Sequence, residues 1–133
     1  MNRTVVKFVD LFCGIGGFHS ALSELGHQCI FACDIDKNAA EVYQRNFGIA
    51  AHKDIRDCNN LSDFDILCAG FPCQPFSKSG IQKGFNDKTR GTLFHEIMRI
   101  VRESRPKILF LENVPNLLSH DKGDTYTIIK QSI

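Results

Sequence analysis

A chain of 133 residues is long enough for one domain with a real core and short for two. Its formal net charge of +1 provides no global basic field to mark it for nucleic acid or an acidic surface, although a local patch can still do that work. No apolar run approaches membrane-spanning length and no basic-then-apolar leader opens the chain, so the expectation is a cytoplasmic protein that makes no use of a membrane.

The predicted elements alternate. The β-rich run Val5–Phe12 ends in Cys13-Gly-Ile-Gly-Gly17. Phe18, Ala21, Leu22 and Leu25 then recur at helical spacing, with Gly26 as a stop, which reads as strand, glycine turn, helix. Gln28–Cys33 is a second strand closing on Asp34-Ile-Asp36, and a helix from about Lys37 to Asn46 follows, with Gly48 as its C-cap. Ile49–His52 is a short extended piece, taken as a third strand, leading into Lys53-Asp-Ile55. The apolar run Phe64–Gly70 is a fourth strand, and it delivers Phe71-Pro-Cys73 into a loop of small, polar and basic residues.

Between Gln74 and Arg90 no period survives, and an aperiodic loop of that length in a compact domain is more often functional than idle. Thr92 can cap the next helix, whose Leu93, Phe94, Ile97, Met98, Ile100 and Val101 form one apolar face. Pro106 ends it. Lys107–Glu112 is a fifth strand, Asn113–Asn116 a loop, and Thr125–Ile133 the start of a further helix. The class is α/β with a mainly parallel, doubly wound sheet. The fifth strand has no successor, and Ile108–Leu111 is too apolar to leave as an open edge, which points to a larger natural unit or a partner.

The six cysteines form no C-x-x-C pair, and their scatter fits neither a zinc site nor a disulfide framework, so no metal is expected. Cys29, Cys33 and Cys68 read as small core residues. Cys73 differs, standing at a strand exit in a polar loop, where open α/β sheets place their chemistry. Gly14, Gly16 and Gly17 allow close backbone approach to a ligand. Asp34, twenty positions after Gly14, is placed to hold a ribose through its hydroxyls. Asp54 could reach the same ligand's base, or be a loop acid. Glu112 ends the last strand and could face the cleft of Cys73, or be a salt-bridged acid.

Three segments in this order, Asp10-Leu-Phe-Cys-Gly-Ile-Gly-Gly-Phe18, Gly70-Phe-Pro-Cys-Gln-Pro-Phe-Ser77 and Glu112-Asn-Val114, resemble the DNA cytosine-5 methyltransferase family, and Arg90-Gly-Thr-Leu-Phe94 fits between them. The resemblance covers nearly the whole chain. It implies a Rossmann-like S-adenosylmethionine-dependent methyltransferase fold, truncated after about the fifth strand. It also implies methyl transfer from S-adenosylmethionine to C5 of a cytosine flipped out of double-stranded DNA, the DNA methylation of restriction–modification systems. By the same resemblance Cys73 is the nucleophile that adds to C6, Glu112 contacts N3, Asn113 helps hold the cysteine loop, and Pro72 lies beside the extruded base.

For the cofactor, the resemblance implies Phe12 against the adenine, and Gly14 and Gly16 beside the methionine part. Asp34 is implied on the ribose, Asp54 on the adenine amine, Ile55 on its ring, and Leu93 as a pocket wall. Ile35 stands where some relatives carry a larger aromatic, which loosens packing there. Ser77, Lys78 and Lys83 would meet DNA phosphates from the loop, as against a merely solvated loop.

Full-length relatives add a late Gln-x-Arg-x-Arg segment, a target-recognition region and a final segment completing the cofactor site, none of which is present. Residues 1–133 are thus expected to be a single partial catalytic domain, its cofactor-binding half with the catalytic loop at 70–90, and inactive alone. The alternatives are a subunit of a split enzyme completed by a second polypeptide, and a non-catalytic S-adenosylmethionine-binding or interaction module. A nicotinamide-dependent dehydrogenase would explain the glycine turn and Asp34 but not Cys73 or Glu112.

Overall fold

The computed structural model describes residues 3–72 and 93–133. Cys73, Ser77, Lys78 and Lys83, with the cap expected at Thr92, lie outside the described residues. The elements are β1 (Lys7–Leu11), α1 (Gly17–Glu24), β2 (Gln28–Cys33), α2 (Lys37–Phe47), β3 (Ile66–Gly70), α3 (Leu93–Ser104), β4 (Ile108–Glu112) and α4 (Asp124–Ser132). A 3-10 turn at Ile55–Asp57 precedes β3, and two more fill the connection from β4 to α4.

The strands form one parallel sheet in the order β2-β1-β3-β4. Alternation along β1 and β3 sends side chains to both faces. Val9, Leu11, Leu67 and Ala69 pack against Phe94, Ile97, Met98 and Ile100 of α3 and Ile129 of α4. Phe8, Ile66 and Cys68 turn the other way, toward Phe18 and Leu22 of α1. Ala32 meets Ala40 and Tyr43 of α2 on that side. Both faces of the central strands are therefore covered, as the doubly wound reading requires. The apolar face expected of α3 is the one that is buried, and an aliphatic side chain sealed there, such as Ile97, contributes roughly 2 kcal/mol.

Local signals set the element ends. Asp36 caps α2 by accepting from the backbone N–H groups of Asn38 and Ala39, and Gly48 closes it at φ 75°. α3 stops at Arg105, which takes a left-handed φ of 47° immediately before Pro106.

Ile49–His52, expected as the third strand, does not form one; it makes a single bridge between His52 and Asp34. Asp34 N–H donates to Ala51 O and Lys53 N–H to Asp34 O, but Asp54 then caps the turn at Ile55, so the ladder cannot extend. The described sheet has four strands, and the strand read as fifth is β4.

Among the described residues β4 pairs only with β3. On the α1 side of the sheet it carries Ile108 and Phe110, 50% and 53% exposed, with Phe110 against the Phe18 ring. No helix among the described residues is long and apolar enough to cross a membrane.

Candidate active site

β1, β2 and β3 end on the same side of the sheet, and a cleft of about 490 Å³ opens there. Phe12, Ile35, Ile55, Pro72 and Leu93 give it apolar walls, while Asp34 and Asp54 supply two carboxylates. Open parallel sheets bind ligands in this position because the loops diverge beyond the strand ends.

The turn after β1 is unusual backbone. Phe12 holds a left-handed φ of 53°, rare for a bulky residue and costing about 1–2 kcal/mol. The Cys13 N–H donates to Cys33 O at 3.0 Å and ties the turn to the end of β2. Gly14 and Gly16 follow at φ 53° and 103°. Neither glycine lines the cleft. The Gly14 N–H donates to Asp34 Oδ2 at 2.8 Å, and a Cβ on Gly16 would collide with the Phe47 ring. Both glycines thus have work within the fold, one fixing Asp34 and the other admitting Phe47.

Asp34 is held from both sides, since its Oδ1 accepts from the Asp36 N–H at 2.8 Å. Each oxygen keeps a second lone pair for a ligand hydroxyl.

Asp54 faces the cleft differently. Arg56 grips it bidentately, Nε to Oδ1 at 3.0 Å and Nη2 to Oδ2 at 2.8 Å, and this holds its carboxyl below the usual range. Arg56 also lines the cleft and was not among the residues read from sequence.

At the far side the chain leaves β3 through Gly70, Phe71 and Pro72 toward Cys73. Gly70 is registered against Glu112, and a Cβ on Gly70 would lie 3.1 Å from Glu112 Oε2. The missing side chain leaves room for that carboxylate beside the strand exit. Asn113 Nδ2 donates to Phe71 O at 2.8 Å, while its Oδ1 accepts from the Val114 N–H. Phe71 is buried against Phe94 of α3. The exits of β3 and β4 are therefore clasped two residues before Cys73.

The five described cysteines are free thiols. Burial pushes up Cys13, Cys29 and Cys68, the last to about 12, and keeps them protonated and poorly nucleophilic.

One buried network escaped the sequence reading. Asp10, 1% exposed near the C-terminal end of β1, accepts from the Tyr43 hydroxyl at 3.2 Å. His19 Nδ1 lies 2.7 Å from the same hydroxyl and its ring stacks on Phe47. Asp10 Oδ1 has no hydrogen-bond partner among the described residues. Burial lifts Asp10 to about 7 against the pull of Tyr43. The signal was present as a single acid inside an apolar strand run.

Fold and cleft together are those of a Rossmann-like α/β domain, with a ligand site beyond the strand exits of a parallel sheet. The described fold matches that of the Dnmt2 methyltransferase of S. pombe with a TM-score of 0.64 at 25% identity, covering 95% of this chain and 41% of that one. The model of the C-5 cytosine-specific DNA methylase family matches residues 6–133, and the chain belongs to that family.

Among its relatives, the type II methyltransferase M.HhaI of Haemophilus parahaemolyticus is 52% identical over 132 residues, 98% of this chain and 40% of that protein. M.MspI of Moraxella sp is 46% identical over 129 residues, 96% of this chain and 31% of that protein. The chain thus spans well under half the length of these relatives.

Family and fold imply S-adenosylmethionine as cofactor. The donor set of the cleft fits it, with flat apolar walls for a purine and carboxylates for hydroxyl and amine donors.

Proposed function

We propose that residues 1–133 are the cofactor-binding part of the catalytic domain of a DNA cytosine-5 methyltransferase, holding S-adenosylmethionine in the 490 Å³ cleft and presenting Cys73 to a cytosine flipped out of duplex DNA. One observation carries the reading: Phe12, Asp34, Ile35, Asp54, Ile55, Pro72 and Leu93, from five separate stretches of sequence, converge on one cleft at the exit that leads to Cys73.

In this reading Phe12, Ile35, Ile55 and Leu93 hold the adenine. Asp34 accepts from the ribose hydroxyls and Asp54 from the adenine amine. Gly14 acts through Asp34, and Gly16 shapes the turn beside the methionine part. When bound, S-adenosylmethionine supplies an electrophilic methyl group on a sulfonium centre. A ring carbon is a poor nucleophile, so Cys73 acts first: its thiolate forms a bond to C6 and the ring electrons move toward C5 and N3. Glu112 donates a proton or strong hydrogen bond to N3 and stabilises that charge. After C5 is methylated, a base takes the C5 proton, the C5–H electron pair forms the C5–C6 double bond as the C6–S bond breaks to release the Cys73 thiolate, and N3 returns its proton to Glu112. Asn113 holds the Cys73 loop through Phe71 O, and Pro72 lies beside the base. Ser77, Lys78 and Lys83 meet the DNA phosphates.

A second reading has its own support. The exposed Ile108 and Phe110 on the open edge of β4 suit a second polypeptide that extends the sheet and completes the enzyme. Calorimetry with S-adenosylmethionine and a methylation assay on duplex DNA test both readings. The chain is expected to bind the cofactor, to methylate poorly alone, and to gain activity with a polypeptide supplying the remainder of a relative. Failure to bind the cofactor would overturn the first reading, and absence of any gain on mixing the second.

A further inference from the structure

The segment read as the adenine end of the cleft is anchored by the buried side chains of Ile55 and Cys58. After the His52 bridge, residues 53–61 pair with no strand, yet they carry Asp54 and Ile55. Much of their backbone is held by α3 instead. Arg99 Nη2 donates to Cys58 O at 2.8 Å and to Ile55 O at 3.2 Å, and its Nη1 reaches Asn59 Oδ1 at 3.3 Å. Glu96 fixes the guanidinium from its other side at 2.8 Å, and Glu103 lies 3.4 Å from Nη1. Ser104 Oγ adds a bond to Leu61 O at 2.6 Å.

We infer that Arg99 is a positioning residue for cofactor binding, whose guanidinium sets the Ile55–Cys58 turn so that Asp54 and Ile55 meet the adenine; this rests on the cofactor reading above. Arg99 does not line the cleft, so it acts on it through the Ile55 and Cys58 carbonyls and the Asn59 side chain. A planar fork can satisfy two carbonyls and a carboxylate at once, and a lysine ammonium cannot hold the same three partners in that plane. Leu93, a wall of the same cleft, begins the helix that carries Arg99, so one rigid element places both parts of the adenine wall.

The test titrates S-adenosylmethionine into the 133-residue chain by calorimetry, with urea unfolding and amide hydrogen exchange alongside. Arg99→Ala is expected to weaken binding on the order of tenfold or more, as for loss of charge-assisted bonds to two acceptors. Exchange of the amides of residues 55–59 should rise, and free guanidinium at a non-denaturing concentration should restore affinity. Should Arg99→Ala fail to fold, Arg99→Lys carries the test: it retains the Glu96 pair and is expected to fold, yet to bind more weakly than the parent. Glu103→Gln is expected to bind as the parent does.

Parent-like affinity in both Arg99 variants would overturn the inference alone. Weakened binding that tracks a lowered urea midpoint and resists guanidinium would also overturn it, by showing a general structural role. A parent chain that binds no S-adenosylmethionine would overturn the cofactor reading, and this inference with it.

Discussion

Asn113 Nδ2 donates a hydrogen bond of 2.8 Å to the carbonyl of Phe71, joining the exits of β4 and β3 two residues before Cys73 in the chain. The amide is used at both ends, because its Oδ1 accepts from the Val114 N–H. Asn113→Ala leaves a partly buried carbonyl without its donor and should cost about 1–2 kcal/mol in urea unfolding. Asn113→Asp keeps the acceptor but cannot donate. Both variants should slow covalent capture of DNA by a completed enzyme, and parent-like capture in both would contradict this clasp.

The glycine turn makes a sharper test. Gly16→Ala must adopt a φ of 103° and push into the Phe47 ring, which together should cost about 2–4 kcal/mol. Gly17, one residue on, has open space around the Cβ position and no left-handed φ. Gly17→Ala should therefore leave stability unchanged or raise it by up to about 1 kcal/mol. Urea midpoints of the two variants check the contrast.

Asp10 sets a pH dependence. Its folded pKa of about 7 lies above the ordinary 3.8, so the folded state holds the proton more tightly than the unfolded one. Its contribution is fully present below pH 3.8, is lost as pH rises toward 7, and is level above that. The full loss is at most about 4 kcal/mol at ~1.4 kcal/mol per pH unit. Asp10→Asn mimics the neutral acid and should flatten the change in urea midpoint between pH 5 and pH 8. An unchanged slope in that variant would assign the dependence elsewhere.

In the proposed cofactor site Arg56 and the adenine amine compete for the carboxylate of Asp54. Asp54→Ala should weaken S-adenosylmethionine binding on the order of tenfold. Arg56→Ala removes the guanidinium from both oxygens of Asp54, leaving only the residue-56 N–H on Oδ1, and should tighten binding by up to about fivefold, the range of an exposed ion pair. Calorimetry on the two variants distinguishes them; a matching loss in Arg56→Ala would make Arg56 a ligand contact instead of a competitor.

Much of this was legible in the residues. A glycine turn between an apolar run and a helical period places β1 and α1, and Asp34 at the end of the next run places the second carboxylate. Asp34 and Asp54 were legible from the elements around them, whereas Phe12, Ile35, Ile55 and Leu93 were expected from the family resemblance; the structure brings all six to one cleft. The rest depended on tertiary partners. Nothing local distinguishes Gly16 as room for Phe47 from Gly16 as room for a ligand. Arg99 looks like any charge on an amphipathic helix until the carbonyls of Ile55 and Cys58 meet it. Ile49–His52 has strand-like residues, but the cap at Asp54 leaves room for only one bridge. Cys73, Ser77, Lys78 and Lys83 lie outside the described residues, so their roles rest on the sequence and the family.

The central claim is that Cys73 attacks a cytosine beside an S-adenosylmethionine held in this cleft. Duplex DNA carrying 5-fluorocytosine measures it most directly, because fluorine at C5 blocks the final elimination and leaves the enzyme bound. The completed enzyme should form a denaturation-resistant adduct in the presence of S-adenosylmethionine, and Cys73→Ser should form none. An adduct that persists in Cys73→Ser, or that forms equally without the cofactor, would contradict the account.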